Sequence, residues 1–135
     1  MSDKSLSGNW TGRYDYANPL HGEPVSFDAI LTETAASLRG ETIEPNSFRP
    51  EPTDTLMAVI IGERSGSRVH FAKIYTDFDS DDHPQYSGTV NQTATRISGQ
   101  WHFPSMPFIH GTFLLARASK AAIRTRAEAA VELEF

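Results

Sequence analysis

His70, His102 and His110 are the side chains that first suggest metal chemistry. Three histidines can hold zinc and leave a fourth position open for water. Their spacing speaks against it. No two form an i,i+2 or i,i+4 pair, and each alternates with aromatic residues, which turns it to the opposite face of its segment. A second candidate is DFDSDDH, with Asp77, Asp79, Asp81 and Asp82. A calcium loop of the EF-hand type needs glycine in its sixth place and glutamate in its twelfth. Asp82 and Gly88 stand there instead. The stretch reads as a solvated acidic hairpin tip, and His21 and His83 as solvated loop residues. No metal site is expected. The chain also lacks a nucleophile elbow, a phosphate loop and a zincin helix. Asp15, Glu33 and Glu63 could move protons, but alternation places them mostly outside. No catalytic residue and no cofactor is assigned.

Aromatic residues at every second position carry more. In GNWTGRYDY, the residues Gly8, Trp10, Gly12, Tyr14 and Tyr16 share one phase. If Trp10 points inward, the same phasing brings Phe27, Phe71, Tyr75, Tyr86, Trp101, Phe103 and Phe113 toward a common interior. Tyrosine hydroxyls and indole N–H groups need partners when buried. Tyr14, Tyr75, Tyr86 and Trp101 therefore suggest an apolar pocket with a few polar handles. The competing reading is that all these rings are core.

Period-two alternation requires strands to position the rings. Eight segments carry it: Gly8–Tyr16, Val25–Thr32, Leu38–Glu44, Thr55–Glu63, Arg68–Thr76, Gln85–Thr95, Arg96–Phe103 and Ile109–Arg117. Loop signals separate them, among them ANPLHGEP, EPNSFRPEPTD, RSGS and PSMP. TLMAVIIGE is apolar on both faces, so something must cover its outer face. Consecutive strands with no helix between them predict an all-β fold, an eight-stranded antiparallel up-and-down barrel. Closure removes exposed edges, and glycines inside the strands let them bend. A two-sheet sandwich is the second choice. Residues 1–118 form the barrel domain. Residues 119–135 (SKAAIRTRAEAAVELEF) form an alanine-rich C-terminal α-helix that docks on its own barrel or a neighbour's.

The 135 residues suit one domain without staples. There is no cysteine, which excludes disulfides and thiolate chemistry. The net charge of −5 argues against a broad phosphate-binding surface, hence against nucleic acid. No apolar run approaches the roughly 18 residues of a membrane helix, and MSDKSLSGNW has no signal-peptide core. A cytoplasmic location is expected.

Gly8-Asn9-Trp10 on the first strand and Arg117 at the end of LLAR resemble the calycins, the superfamily of lipocalins, fatty-acid-binding proteins and avidins. The resemblance implies that Trp10 plugs one barrel end with Arg117 packed across it. YSGTVNQ, TRISGQW and IHGTF look like the last three strands of avidins, with Trp101 where a ligand-binding tryptophan would sit. The likeness covers the first and the last three strands, under half of the chain. Gly12 stands where an avidin carries a biotin-binding asparagine, and Gly111 where it carries an aspartate. RVHFAKIYT replaces a tryptophan-rich strand, and ANPLHGEP is too short for a two-helix lid. The resemblance therefore implies the barrel and not biotin.

Three functions follow as expectations. The first is reversible binding of a small apolar or aromatic ligand by Tyr14, Phe27, Phe71, Tyr75, Tyr86, Trp101 and Phe113. It calls for a cavity above about 300 Å³ lined by Tyr14, Tyr86 and Trp101. The second is an enzyme of isomerase or cyclase type in that cavity. The third is a filled barrel that serves assembly. A homo-oligomer, most simply a homodimer, would form through the outer barrel face or the tail helix.

Overall fold

A computed structural model describes residues 4–45, 55–76 and 82–118. They form eight strands: β1 (Gly8–Tyr16), β2 (Val25–Thr34), β3 (Ser37–Pro45), β4 (Thr55–Ser65), β5 (Arg68–Tyr75), β6 (Gln85–Val90), β7 (Arg96–Phe103) and β8 (Met106–Arg117). Each pairs antiparallel with the next, and β1 pairs with β8, so the sheet closes into a barrel. The sandwich is excluded. The tail at 119–135, expected to be helical, lies outside the described residues. So do Asp77, Asp79 and Asp81 of the acidic stretch.

Two strand limits differ from expectation by three residues or more, the others by two at most. β6 stops at Val90 rather than Thr95. The Asn91 side chain folds the next residues into a turn: its Oδ1 accepts from the amides of Thr95 (2.8 Å) and Arg96 (3.0 Å), and Ala94 has φ +54°. A polar side chain that supplies such bonds competes with the ladder. β8 begins at Met106, because only Pro104 and Ser105 are needed to turn the chain.

The inward phase matches the alternation. Trp10, Tyr14, Phe27, Phe71, Tyr86, Trp101 and Phe113 are all buried, and Tyr75 is half-buried. The outer face of β4 is not covered by any described residue: Met57 and Ile61 are 46% and 40% exposed, beside exposed Ile43 on β3. Among the described residues no helix is long and apolar enough to cross a membrane.

The barrel has one sealed end. Leu6 and Trp10 are completely buried there, and the Trp10 indole N–H donates to the Leu6 carbonyl at 2.8 Å. The Arg117 guanidinium lies 4.4 Å from the Trp10 ring centroid. It donates to the carbonyls of Ala94, Ser7 and Ser5. Arg64 works alongside it, donating to the Lys4 carbonyl at 2.8 Å and to Glu33 at 3.0 Å. Glu33 was expected outside; it folds over this end because Arg64 and the Leu6 amide both donate to it.

Candidate functional site

With one end plugged, entry to the interior is from the end where β1, β3, β5 and β7 finish. A recess of about 200 Å³ opens there, lined by Tyr14, Tyr16, His21, Tyr75, Pro84, Tyr86, Trp101, Phe103, Met106 and Ile109. It is smaller than the 300 Å³ expected of a ligand cavity. The reason is aromatic packing below it: Phe71 and Tyr86 stack with centroids 4.9 Å apart, and Phe113 meets both edge-on. Two larger hollows, of about 630 and 690 Å³, are open grooves on the outer wall, lined by residues such as Arg13 and Asp28 in one and His70 and Gln100 in the other.

All four tyrosines of the chain meet at this recess. Of the seven residues assigned to a ligand from sequence, Tyr14, Tyr75, Tyr86 and Trp101 wall it, whereas Phe27, Phe71 and Phe113 lie in the core beyond. Trp101 packs edge-on against Tyr16 (5.0 Å) and Tyr14 (5.6 Å). Its indole N–H is shared between the carbonyls of Asp15 and Thr112, each at 3.2 Å. His21, read as solvated, contributes to the rim and meets Phe108 edge-on. Tyr86 is 2% exposed, and its hydroxyl has no hydrogen-bond partner among the described residues.

The group that sequence reasoning missed lies behind these rings. Lys73 and Glu44 are 1% and 2% exposed, and the Lys73 ammonium donates to Glu44 Oε1 at 2.5 Å. Tyr14 donates its hydroxyl to Glu44 Oε2 at 2.6 Å, and Tyr75 donates to Oε1 at 3.0 Å. The ammonium is caged by ring faces, 4.5 Å from the Phe27 centroid, 4.7 Å from Tyr14 and 5.1 Å from Tyr75. Such contacts compensate part of its lost hydration. A signal did exist. Lys73 stands between Phe71 and Tyr75, two residues assigned inward, so the same alternation puts it inside. Glu44 was hidden because LRGETIE carries Leu38 and Ile43 on opposite phases.

Burial is the main influence on the site's ionisation. It pulls the Lys73 amine below the ordinary lysine value, and Glu44 opposes that pull. It pushes the Tyr14, Tyr75 and Tyr86 phenols far up, with the Glu44 carboxylate adding to the rise, and it pushes Tyr16 up as well. A phenol whose folded value is raised stabilises the fold fully below the unfolded value and loses that contribution above it. Stability should therefore fall as pH rises through about 10, by about 1.4 kcal/mol per pH unit for each phenol that stays protonated. Lys73, lowered, pushes the other way, but it is one group against several. Titration by phenolate absorbance should show Tyr14, Tyr75 and Tyr86 staying protonated until the barrel unfolds; ionisation of more than one tyrosine in the folded protein would contradict this.

His70, His102 and His110 face outward and are exposed, and His102 pairs directly across from His110. Among the described residues no three ligand-type side chains converge on a metal site. No protein-family model matches the chain, and no curated protein matches it.

Proposed function

We propose that the chain is a calycin-like binding barrel whose recess takes one small, uncharged aromatic ligand. The single observation that carries this reading is the unpartnered Tyr86 hydroxyl in a recess walled by all four tyrosines and Trp101. Ring faces and edges favour a planar guest through offset and edge-on contacts. The free hydroxyl supplies one orienting hydrogen bond. Lys73 and Glu44 already balance each other, so a charged guest would be buried uncompensated, at a cost of several kcal/mol. The volume limits the guest to a ring or two, below the drug-sized range.

Calorimetric titration with 4-hydroxybenzyl alcohol and related monocyclic alcohols and amides tests this. Saturable one-to-one binding is expected. Y86F should weaken it roughly two- to tenfold, the value of one neutral hydrogen bond. The same variant should leave stability within about 0.5 kcal/mol, because no protein partner is lost. Absence of saturable binding across the series, or indifference to Y86F, would overturn the reading.

A further inference from the structure

The geometry points to Lys73 as a covalent attachment point: its amine condenses with a small aromatic aldehyde seated in the tyrosine recess, giving an imine held against Glu44. This rests on the recess being the ligand site.

The placement comes first. Lys73 Nζ lies 4.7, 5.1 and 6.0 Å from the ring centroids of Tyr14, Tyr75 and Tyr86, and all three rings also wall the recess. The amine is thus immediately behind the recess wall, itself 1% exposed, and the step requires the lysine stem or one of these rings to move aside. Its hydrogen bonding comes second. Among the described residues Glu44 is its one acceptor, and its other N–H bonds meet ring faces rather than oxygens. A buried ion pair gains stability over apolar replacements only when further hydrogen bonds complete it. Tyr14 and Tyr75 complete the Glu44 side, whereas the Lys73 side has only Glu44 and ring faces, which leaves the amine the less satisfied partner. Burial favours the neutral, nucleophilic amine, and an apolar enclosure keeps out the water that would hydrolyse an imine.

The step balances within the residues present. Lys73 passes a proton to Glu44, and the freed lone pair forms the C–N bond as the carbonyl π pair moves to oxygen. Glu44 returns the proton to that oxygen. A second proton leaves nitrogen by the same route, the hydroxyl departs as water, and the nitrogen pair closes the C=N bond. Ammonium plus aldehyde become protonated imine plus water. The charge on Lys73 is the same before and after, so the ion pair with Glu44 is restored once the imine has formed. The Tyr86 hydroxyl is placed to donate to the carbonyl oxygen and polarise it.

The full chain has three lysines, Lys4, Lys73 and Lys120, which makes the test direct. The protein is incubated near neutral pH with 4-hydroxybenzaldehyde and cyanoborohydride, which reduces an imine to a stable amine. Intact mass should rise by one hydroxybenzyl group, and peptide mapping should place it on Lys73 in preference to Lys4. Mapping on the unaltered chain suffices by itself. K73R keeps the cation beside Glu44 but cannot form the imine, and should abolish the adduct. If 4-hydroxybenzyl alcohol binds while Lys73 remains unmodified, the inference fails and the recess stands. If the alcohol does not bind and Lys73 is unmodified, both fail.

Discussion

Replacing Lys73 by methionine is expected to destabilise the barrel by about 3–5 kcal/mol, because it strands the Glu44 carboxylate in an apolar interior. The loss should show as a shift in denaturant midpoint at unchanged slope. The double variant K73M/E44Q separates the charge effect from packing. Methionine follows the lysine stem and packs well against rings. The glutamine amide can accept from Tyr14 and donate to the Tyr75 oxygen, so the polar handles remain satisfied. Most of the single-variant loss should return. Equal losses in the single and double variants would mean that the pair is not what the fold depends on.

The second large effect is expected at Gly111. A Cβ built there would sit 1.7 Å from the Asp15 carbonyl oxygen and 3.0 Å from Trp101 Nε1. The obstacle is backbone of the neighbouring strand, which cannot turn aside as a side chain would. G111A should cost about 4 kcal/mol or more, at the exceptional end of single substitutions, where overpacking belongs. It should also displace the Trp101 indole, which reaches across this glycine to the Asp15 carbonyl. Circular dichroism and Trp101 fluorescence would read both. A folded, near-native G111A protein would refute the argument. Gly12 has the same logic with a softer neighbour: its Cβ would fall 2.3 Å from the Phe27 ring.

The barrel was legible because alternation is strict where one face is buried. Trp10, Tyr14, Phe71, Tyr86, Trp101 and Phe113 each fix the phase of a strand, and a slip of one residue would expose every one of them. The lower boundary of β6 was not legible. Thr93 and Thr95 have good strand propensity, and only the tertiary arrangement shows Asn91 capping the turn. Lys73 was readable in principle and overlooked because a charged residue is ordinarily assigned to solvent. Glu44 was not readable: nothing in the order of LRGETIE says which of its two phases faces inward, and Lys73, its partner, lies 29 residues away. The size of the recess was also out of reach. It depends on how the rings stack, and alternation says only that they are inside.

Arg117 has a consequence for the making of the protein as well as for its shape. Its guanidinium holds the carbonyls of Ser5 and Ser7, contacts that span 112 and 110 residues. During synthesis the first strand therefore leaves the ribosome long before the residue that secures it exists. Trp10 and Leu6 have no permanent cover until β8 arrives to pair with β1. Closure of so distant a pair is slow compared with hairpin formation, and the growing chain presents apolar strand to its surroundings throughout. This barrel should therefore commit to its native state only after β8 has emerged from the ribosome, and its nascent form should be a substrate for chaperones that shield exposed strands.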